Sequence, residues 1–245
     1  MEIFQTFFYQ PILNLLVFLY NIFGDLGIAI IFLTLIVKLI LFPLSKKSIK
    51  SQKALQDLQP KIDELKKKHK GDQQALSLEL MALYKENKVN PFSSCFPLLI
   101  QLPFFIAIFR VFRDGFAQNH LDLLYPFIKN PETINAISLG FFNLSEKSIV
   151  LAVLAGLAQF WQAKMMTTKK PAIDVKGSKD ESMTAIMNKQ MLYVMPAVTV
   201  FIGMTMPAGL TLYWFLTTLF TALQQKIVFK KKENGDDIPE VKVIN

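Results

Sequence analysis

Apolar residues in this chain come in blocks roughly 20 residues long, separated by stretches rich in lysine. That block length is what a helix needs to cross about 30 Å of hydrocarbon. A soluble domain spreads its apolar residues periodically and carries fewer of them; here 52% of the chain is hydrophobic and the excess is bunched. The class this sets is an all-α integral membrane protein.

Five blocks are expected to span: 25–45, 89–113, 148–168, 186–206 and 208–229. The segment 1–24 is aromatic-rich but carries Gln5, Gln10, Pro11, Asn14 and Asn21. Pro11 is expected to break it, and it reads as an amphipathic interfacial helix, with a short extra span as the alternative. Residues 46–88 carry eleven Lys against six acids. Leu55, Leu58, Ile62 and Leu65 repeat at helical spacing, as do Leu76, Leu80 and Leu83 beyond Gly71-Asp72. This predicts a helical hairpin of coiled-coil type, its first arm broken near Gln59 because Pro60 suits a first turn. A solvated charged hairpin without a partner is the plainer alternative. Segments 114–147 and 169–185 are connections, and 230–245 is a charged tail. The turn Pro207-Ala208-Gly209 predicts antiparallel, neighbouring fourth and fifth spans.

Orientation follows from the lysines, because positive loops stay in the cytoplasm. The hairpin, the 169–185 connection and the Lys226, Lys230, Lys231, Lys232 cluster are net basic, whereas the loop between the second and third spans, counted with Arg110 and Arg113 at its edge, is balanced and the first 25 residues hold Glu2 and Asp25 but no Lys. The amino terminus is therefore expected outside and the carboxyl terminus in the cytoplasm, which requires an odd number of spans. The start, Met1-Glu2-Ile3-Phe4, has no basic region of a removable signal peptide, and no Arg-rich transit peptide precedes the first span. A bacterial plasma membrane is expected rather than an organelle.

No nucleophile–base pair, phosphate loop or metal-ligand spacing stands out, and the lone Cys95 cannot form an internal disulfide. An enzyme is not expected, nor a cofactor or metal. The ionisable group that matters is Lys38, well inside the first span with Thr34 one turn earlier. A lysine facing lipid at such depth costs about 2.5–3.5 kcal/mol. It either snorkels to the interface or stands in a wet groove, and no other span offers an acid to pair with it. Gln101, Gln159, Gln162, Tyr213, Trp214, Thr217 and Thr218 are further polar candidates for such a groove. Gln224-Gln225 reads as a helix end. Met183, Met187, Met191 and Met195 recur every four residues, which fits ordinary packing or an adaptable apolar surface for varied hydrophobic segments.

Certain runs are more specific. Leu35-Ile-Val-Lys38-Leu-Ile-Leu-Phe-Pro43-Leu, Leu58-Gln-Pro60-Lys-Ile and Leu83-Tyr84-Lys-Glu…Val89-Asn90-Pro91 occur in that order. Cys95-Phe-Pro97-Leu-Leu-Ile-Gln101-Leu-Pro103 and Gly209-Leu-Thr-Leu-Tyr213-Trp214-Phe follow. On these the chain resembles the YidC/Oxa/Alb family of membrane protein insertases, from about Tyr20 to Lys232. The resemblance implies five transmembrane helices, a cytoplasmic hairpin after the first, and a hydrophilic groove open to cytoplasm and lipid but closed outside. It implies a basic residue of the first span in that groove, usually arginine and here Lys38, attracting acids of the incoming chain. Gln162 and Trp214 match groove-lining positions. The large extracytoplasmic domain of some bacterial members is not expected here, and through so short a tail ribosome docking is expected to be weak.

The partners so implied are nascent membrane proteins and the lipid bilayer, with the Sec translocon, the ribosome and the signal recognition particle receptor as candidates. Sequence-specific nucleic acid binding is not expected. The expected mechanism has acids of a translocated segment meet Lys38 while its apolar helix slides along spans three and five into lipid. Hydrophobic partitioning and the membrane potential supply the free energy. The rivals are a small-solute transporter or channel, which should show repeat symmetry, and a non-inserting assembly scaffold.

Overall fold

The computed structural model describes residues 2–69, 71–90, 96–113, 123–166 and 190–233. Expectations resting on Cys95, His120, the 169–185 connection, Met183, Met187 and the tail beyond Glu233 lie outside these residues.

Helix α1 (Gln5–Phe23) opens with a π-helical turn at Gln5–Tyr9. Pro11 does not break it. The proline falls at the start of the regular helix Gln10–Phe23, where the wider preceding turn accommodates its ring and missing N–H. Gly24, at φ 66, closes α1 by donating its N–H to the Tyr20 carbonyl at 2.8 Å. Asp25 is at once the N-cap of α2 (Leu26–Ile40), accepting the Ile28 N–H at 3.0 Å. A left-handed glycine followed by a capping aspartate thus turns the chain directly from one helix into the next.

Leu41 separates α2 from α3 (Phe42–Lys68), and the axes differ by 68°. Pro43 sits in the first turn of α3, where its absent donor is no loss. The helix then continues through Pro60, which corrects the expected break near Gln59. Pro60 lies on the exposed side, and pairs one turn apart brace the helix around it: Lys53 with Asp57 at 3.1 Å, and Gln59 donating to Asp63 at 2.9 Å. One missing internal bond in 27 residues is outweighed by the turns on either side.

Helix α4 (Gln73–Glu86) is capped by Asp72, which accepts the Ala75 N–H at 2.9 Å. Leu58 and Ile62 of α3 are buried, and Leu76, Leu80 and Leu83 of α4 are half-buried. Glu79 ties the arms at their turn through Lys68 at 3.2 Å and His69 at 2.9 Å.

Helix α5 (Phe96–Arg113) leads to a small antiparallel ribbon of β1 (Ile137–Ser138) and β2 (Phe142–Asn143), in register Ser138 opposite Phe142. Then come α6 (Ile149–Met166), α7 (Gln190–Gly203) and α8 (Ala208–Glu233). The segment 123–148 is laid along α1 and α2. Asn14, 1% exposed, accepts the Tyr125 N–H at 2.6 Å and donates to the Leu123 carbonyl at 3.1 Å. Asn21 donates to the Lys129 carbonyl, Tyr20 accepts the Asn135 N–H, and Asp25 accepts both the Ser138 hydroxyl and the Leu139 N–H at 2.6 Å. The same segment accepts two N–H groups from the start of α8, Ala208 to Glu146 and Gly209 to Leu144, which a helix amino terminus otherwise leaves unpaired.

The expected pairing of the last two helices is also corrected. α7 and α8 meet near their turn, where the Thr211 hydroxyl donates to the Gly203 carbonyl at 3.2 Å, but each packs mainly against α6. Ala152, Ala155, Gly156 and Ala158 of α6 are buried there. Small side chains let helix backbones approach closely; a Cβ on Gly156 would stand 2.3 Å from the Val200 side chain.

Among the described residues, α1 and α6 are each long and apolar enough to cross a membrane, and α2 with α3 makes a third if the bent pair counts as one span. α1 was expected in the interface, yet it meets the length and composition of a span. α8 does not qualify, because Thr217, Thr218, Thr221, Gln224 and Gln225 dilute its apolar run. None of these five is exposed; they face the interior, Thr221 and Gln225 along a cavity.

Candidate functional site

Lys38 stands in the last turn of α2, closer to the helix end than its place in the apolar block implied. The helix stops at Ile40 instead of running to Pro43. Its side chain turns inward. Nζ donates to Thr221 Oγ1 at 2.8 Å and to Gln101 Oε1 at 3.4 Å. Thr221 passes its own proton to the Thr217 carbonyl at 2.7 Å, and Gln101 Nε2 donates to the Tyr213 hydroxyl. Helices α2, α5 and α8 are thus joined by one polar network around a single ammonium group. Among the described residues Lys38 makes no ion pair.

The network borders a cavity of about 40 Å³ lined by Lys38, Leu41, Ser45, Ile49, Gln52, Ile100, Gln101, Gln162, Thr221 and Gln225, with room for roughly two or three waters. The bend at Leu41 shapes it: Lys38 and Leu41 precede the bend, while Ser45, Ile49 and Gln52 follow it on the same helical face. Beyond Lys38, towards Asp25, the interior is apolar and closed, with Leu26, Ile30, Leu33, Ile108 and Leu210 all no more than 1% exposed.

The structure sorts the other residues singled out from sequence. Gln101 and Gln162 line the cavity, and Tyr213, 1% exposed, backs it through Gln101. Thr34 does not line it; fully buried, it donates to the Ile30 carbonyl of its own helix at 2.7 Å. Trp214 packs edge-on against Phe105, ring centroids 5.6 Å apart, outside the lining. Gln159 accepts the Thr199 hydroxyl and so joins α6 to α7. Met191 and Met195 are exposed on α7, each 46%. Ser45, Gln52, Thr221 and Gln225 were not anticipated. Gln225 is no frayed helix end; it is 2% exposed and faces the cavity. The signal was present in α8, where Tyr213, Thr217, Thr221 and Gln225 recur at four-residue spacing and so share one face.

The model of a family described as 60Kd inner membrane protein matches residues 18–235. This chain belongs to that family. Several curated relatives are similar over most of its length. The Fusobacterium nucleatum protein named Membrane protein insertase YidC is 34% identical over 93% of this chain and 99% of its own length. Proteins of the same name are 34% identical in Wolinella succinogenes, covering 94% of this chain and 38% of the relative, and 35% identical in Geobacter sp., covering 91% and 37%. The chain therefore spans nearly all of the first relative and little more than a third of the other two. Lys38, Gln101, Gln162, Tyr213 and Gln225 all fall within the part that the family model covers.

Proposed function

We infer that this chain is a membrane protein insertase of the bacterial inner membrane, acting on nascent membrane proteins at the lipid bilayer. Family membership and relatives of that name over 93% of the chain support it. Insertion is a transfer between phases and asks for no covalent chemistry. The rival reading as a small-solute transporter is not favoured.

In the finer reading, α2, α5, α6, α7 and α8 belong to five spans, α3 and α4 form a cytoplasmic hairpin, the amino terminus lies outside and the carboxyl terminus inside. The lysine distribution supports this sidedness. The cavity beside Lys38 is then the resting form of a groove facing the cytoplasm, and the segment 123–148 caps the outer end. The observation that carries the mechanism is the inward Lys38 ammonium, held by neutral oxygens and, among the described residues, by no carboxylate. An acidic residue of an incoming segment supplies the missing countercharge, while polar groups in the groove lower the cost of taking that segment part-way across. Its apolar helix moves along α6 and α8 into lipid. The Sec translocon, the ribosome and the signal recognition particle receptor are candidate partners.

Purified protein in lipid vesicles with a one-span substrate tests this reading. Insertion above that of protein-free vesicles, without nucleotide, is the expected result, and no gain over those vesicles would refute it.

A further inference from the structure

Four carboxamides converge on the cavity from four helices: Gln52 of α3, Gln101 of α5, Gln162 of α6 and Gln225 of α8. Gln225 is the most deeply placed, 2% exposed. One end of its amide, Nε2, donates to Gln52 at 3.5 Å; the other, Oε1, has no hydrogen-bond partner among the described residues. Buried polar groups are ordinarily paired, with protein or with water, so an unpaired one aimed into a cavity offers a contact that an incoming segment can take from water. A second charge is not what this wall invites. Carboxamides are neutral and carry donors and acceptors together.

The chemistry that matches such a wall is the peptide group. Every residue other than proline offers one N–H and one C=O whatever its side chain, and an extended segment entering hydrocarbon before it has formed a helix carries them all unpaired. Resting on the insertase reading above, we propose that this cavity docks the main chain of an incoming extended polypeptide, with Gln225 pairing a peptide group and Lys38 serving acids where the segment has them. Recognition through the main chain is independent of sequence, so segments without acidic residues are also substrates of this site.

The test uses the purified full chain in vesicles and a synthetic one-span substrate whose translocated segment is neutral, made with and without N-methyl groups on alternate peptide bonds of that segment. Partitioning alone makes the methylated form insert faster, because a polar N–H has been removed. Docking makes it slower. The expected result is a slowing of about three- to tenfold in the unaltered protein, shrinking to less than about twofold in Gln225→Leu, which has already lost the contact. An unchanged or raised rate on methylation overturns the proposal, as does equal slowing in both proteins. If Gln225→Leu does not fold, the comparison in the unaltered protein decides by itself. Failure to insert even the unmethylated substrate overturns the insertase reading and this proposal with it, whereas normal insertion that is indifferent to methylation overturns this proposal alone.

Discussion

The Lys38 ammonium donates a 2.8 Å hydrogen bond to the Thr221 hydroxyl, joining the end of α2 to the middle of α8 across 183 residues of chain. The bond aims the charge inward. Were the lysine only anchoring its helix at the interface, its charge would seek water and its partner would not matter. For a groove charge, Lys38→Ala lowers insertion of substrates with acidic translocated segments about tenfold, the order of one charge-assisted hydrogen bond. Lys38→Arg keeps the charge and stays close to the unaltered rate. Thr221→Val causes a smaller loss that disappears when Lys38 is already alanine. Insertion rates of the three single variants and the double variant in vesicles check this; equal rates throughout remove Lys38 from the mechanism.

Asn14 is the strongest tie between α1 and the segment 123–148. Its side chain both accepts the Tyr125 N–H and donates to the Leu123 carbonyl. Asn14→Leu keeps the volume but leaves the Tyr125 N–H without its acceptor, while the Leu123 carbonyl keeps only the Gln10 amide at 3.1 Å, at a cost of about 1–3 kcal/mol. Hydrogen exchange at the amides of 123–139 is expected to rise in the variant, while exchange in α6 stays unchanged.

Close approach governs the α6–α7 contact. A Cβ on Gly156 meets Val200 at 2.3 Å and the Pro196 carbonyl oxygen at 3.1 Å, and a backbone oxygen cannot swing aside. Gly156→Ala is therefore expected to destabilise the protein by about 1–3 kcal/mol through overpacking. A thermal unfolding series read on the detergent-solubilised protein measures it, with Gly140→Ala as a comparison at a site that has no neighbour within 4 Å but a φ of 80.

Much of the molecule was readable before its structure. Lys38 stood out because an unpaired cation inside an apolar block has few explanations, and the leucines of the hairpin announced two helices by period alone. The readings that failed were local rules applied without their surroundings. A proline read alone signals a break, but a π turn absorbs Pro11 and flanking side-chain pairs brace Pro60. The short turn at Pro207 suggested that α7 and α8 pair, whereas the small residues of α6 make it the better neighbour for each. Gln224-Gln225 reads as a helix end because two adjacent glutamines carry no periodicity of their own. Only with Tyr213, Thr217 and Thr221 do they mark a face, and only the fold shows what that face meets.

The junction of α3 and α4 carries a pH-dependent tie. Lys68, foremost, and His69 hold the Glu79 carboxyl below its ordinary value, against a smaller opposing effect of desolvation. A carboxylate depressed in the folded state adds stability that is fully present above its unfolded value and is lost as pH falls through the folded one. The tie between the arms is therefore intact at neutral pH and weakens only in acid, below the ordinary glutamate range. Because the pair is exposed, the effect stays local and is screened by salt. Followed by NMR, the Glu79 side chain is expected to titrate below the ordinary glutamate range. Lys68→Ala should move it back up towards that range, and a titration that Lys68→Ala leaves unmoved would show that the lysine does not set it.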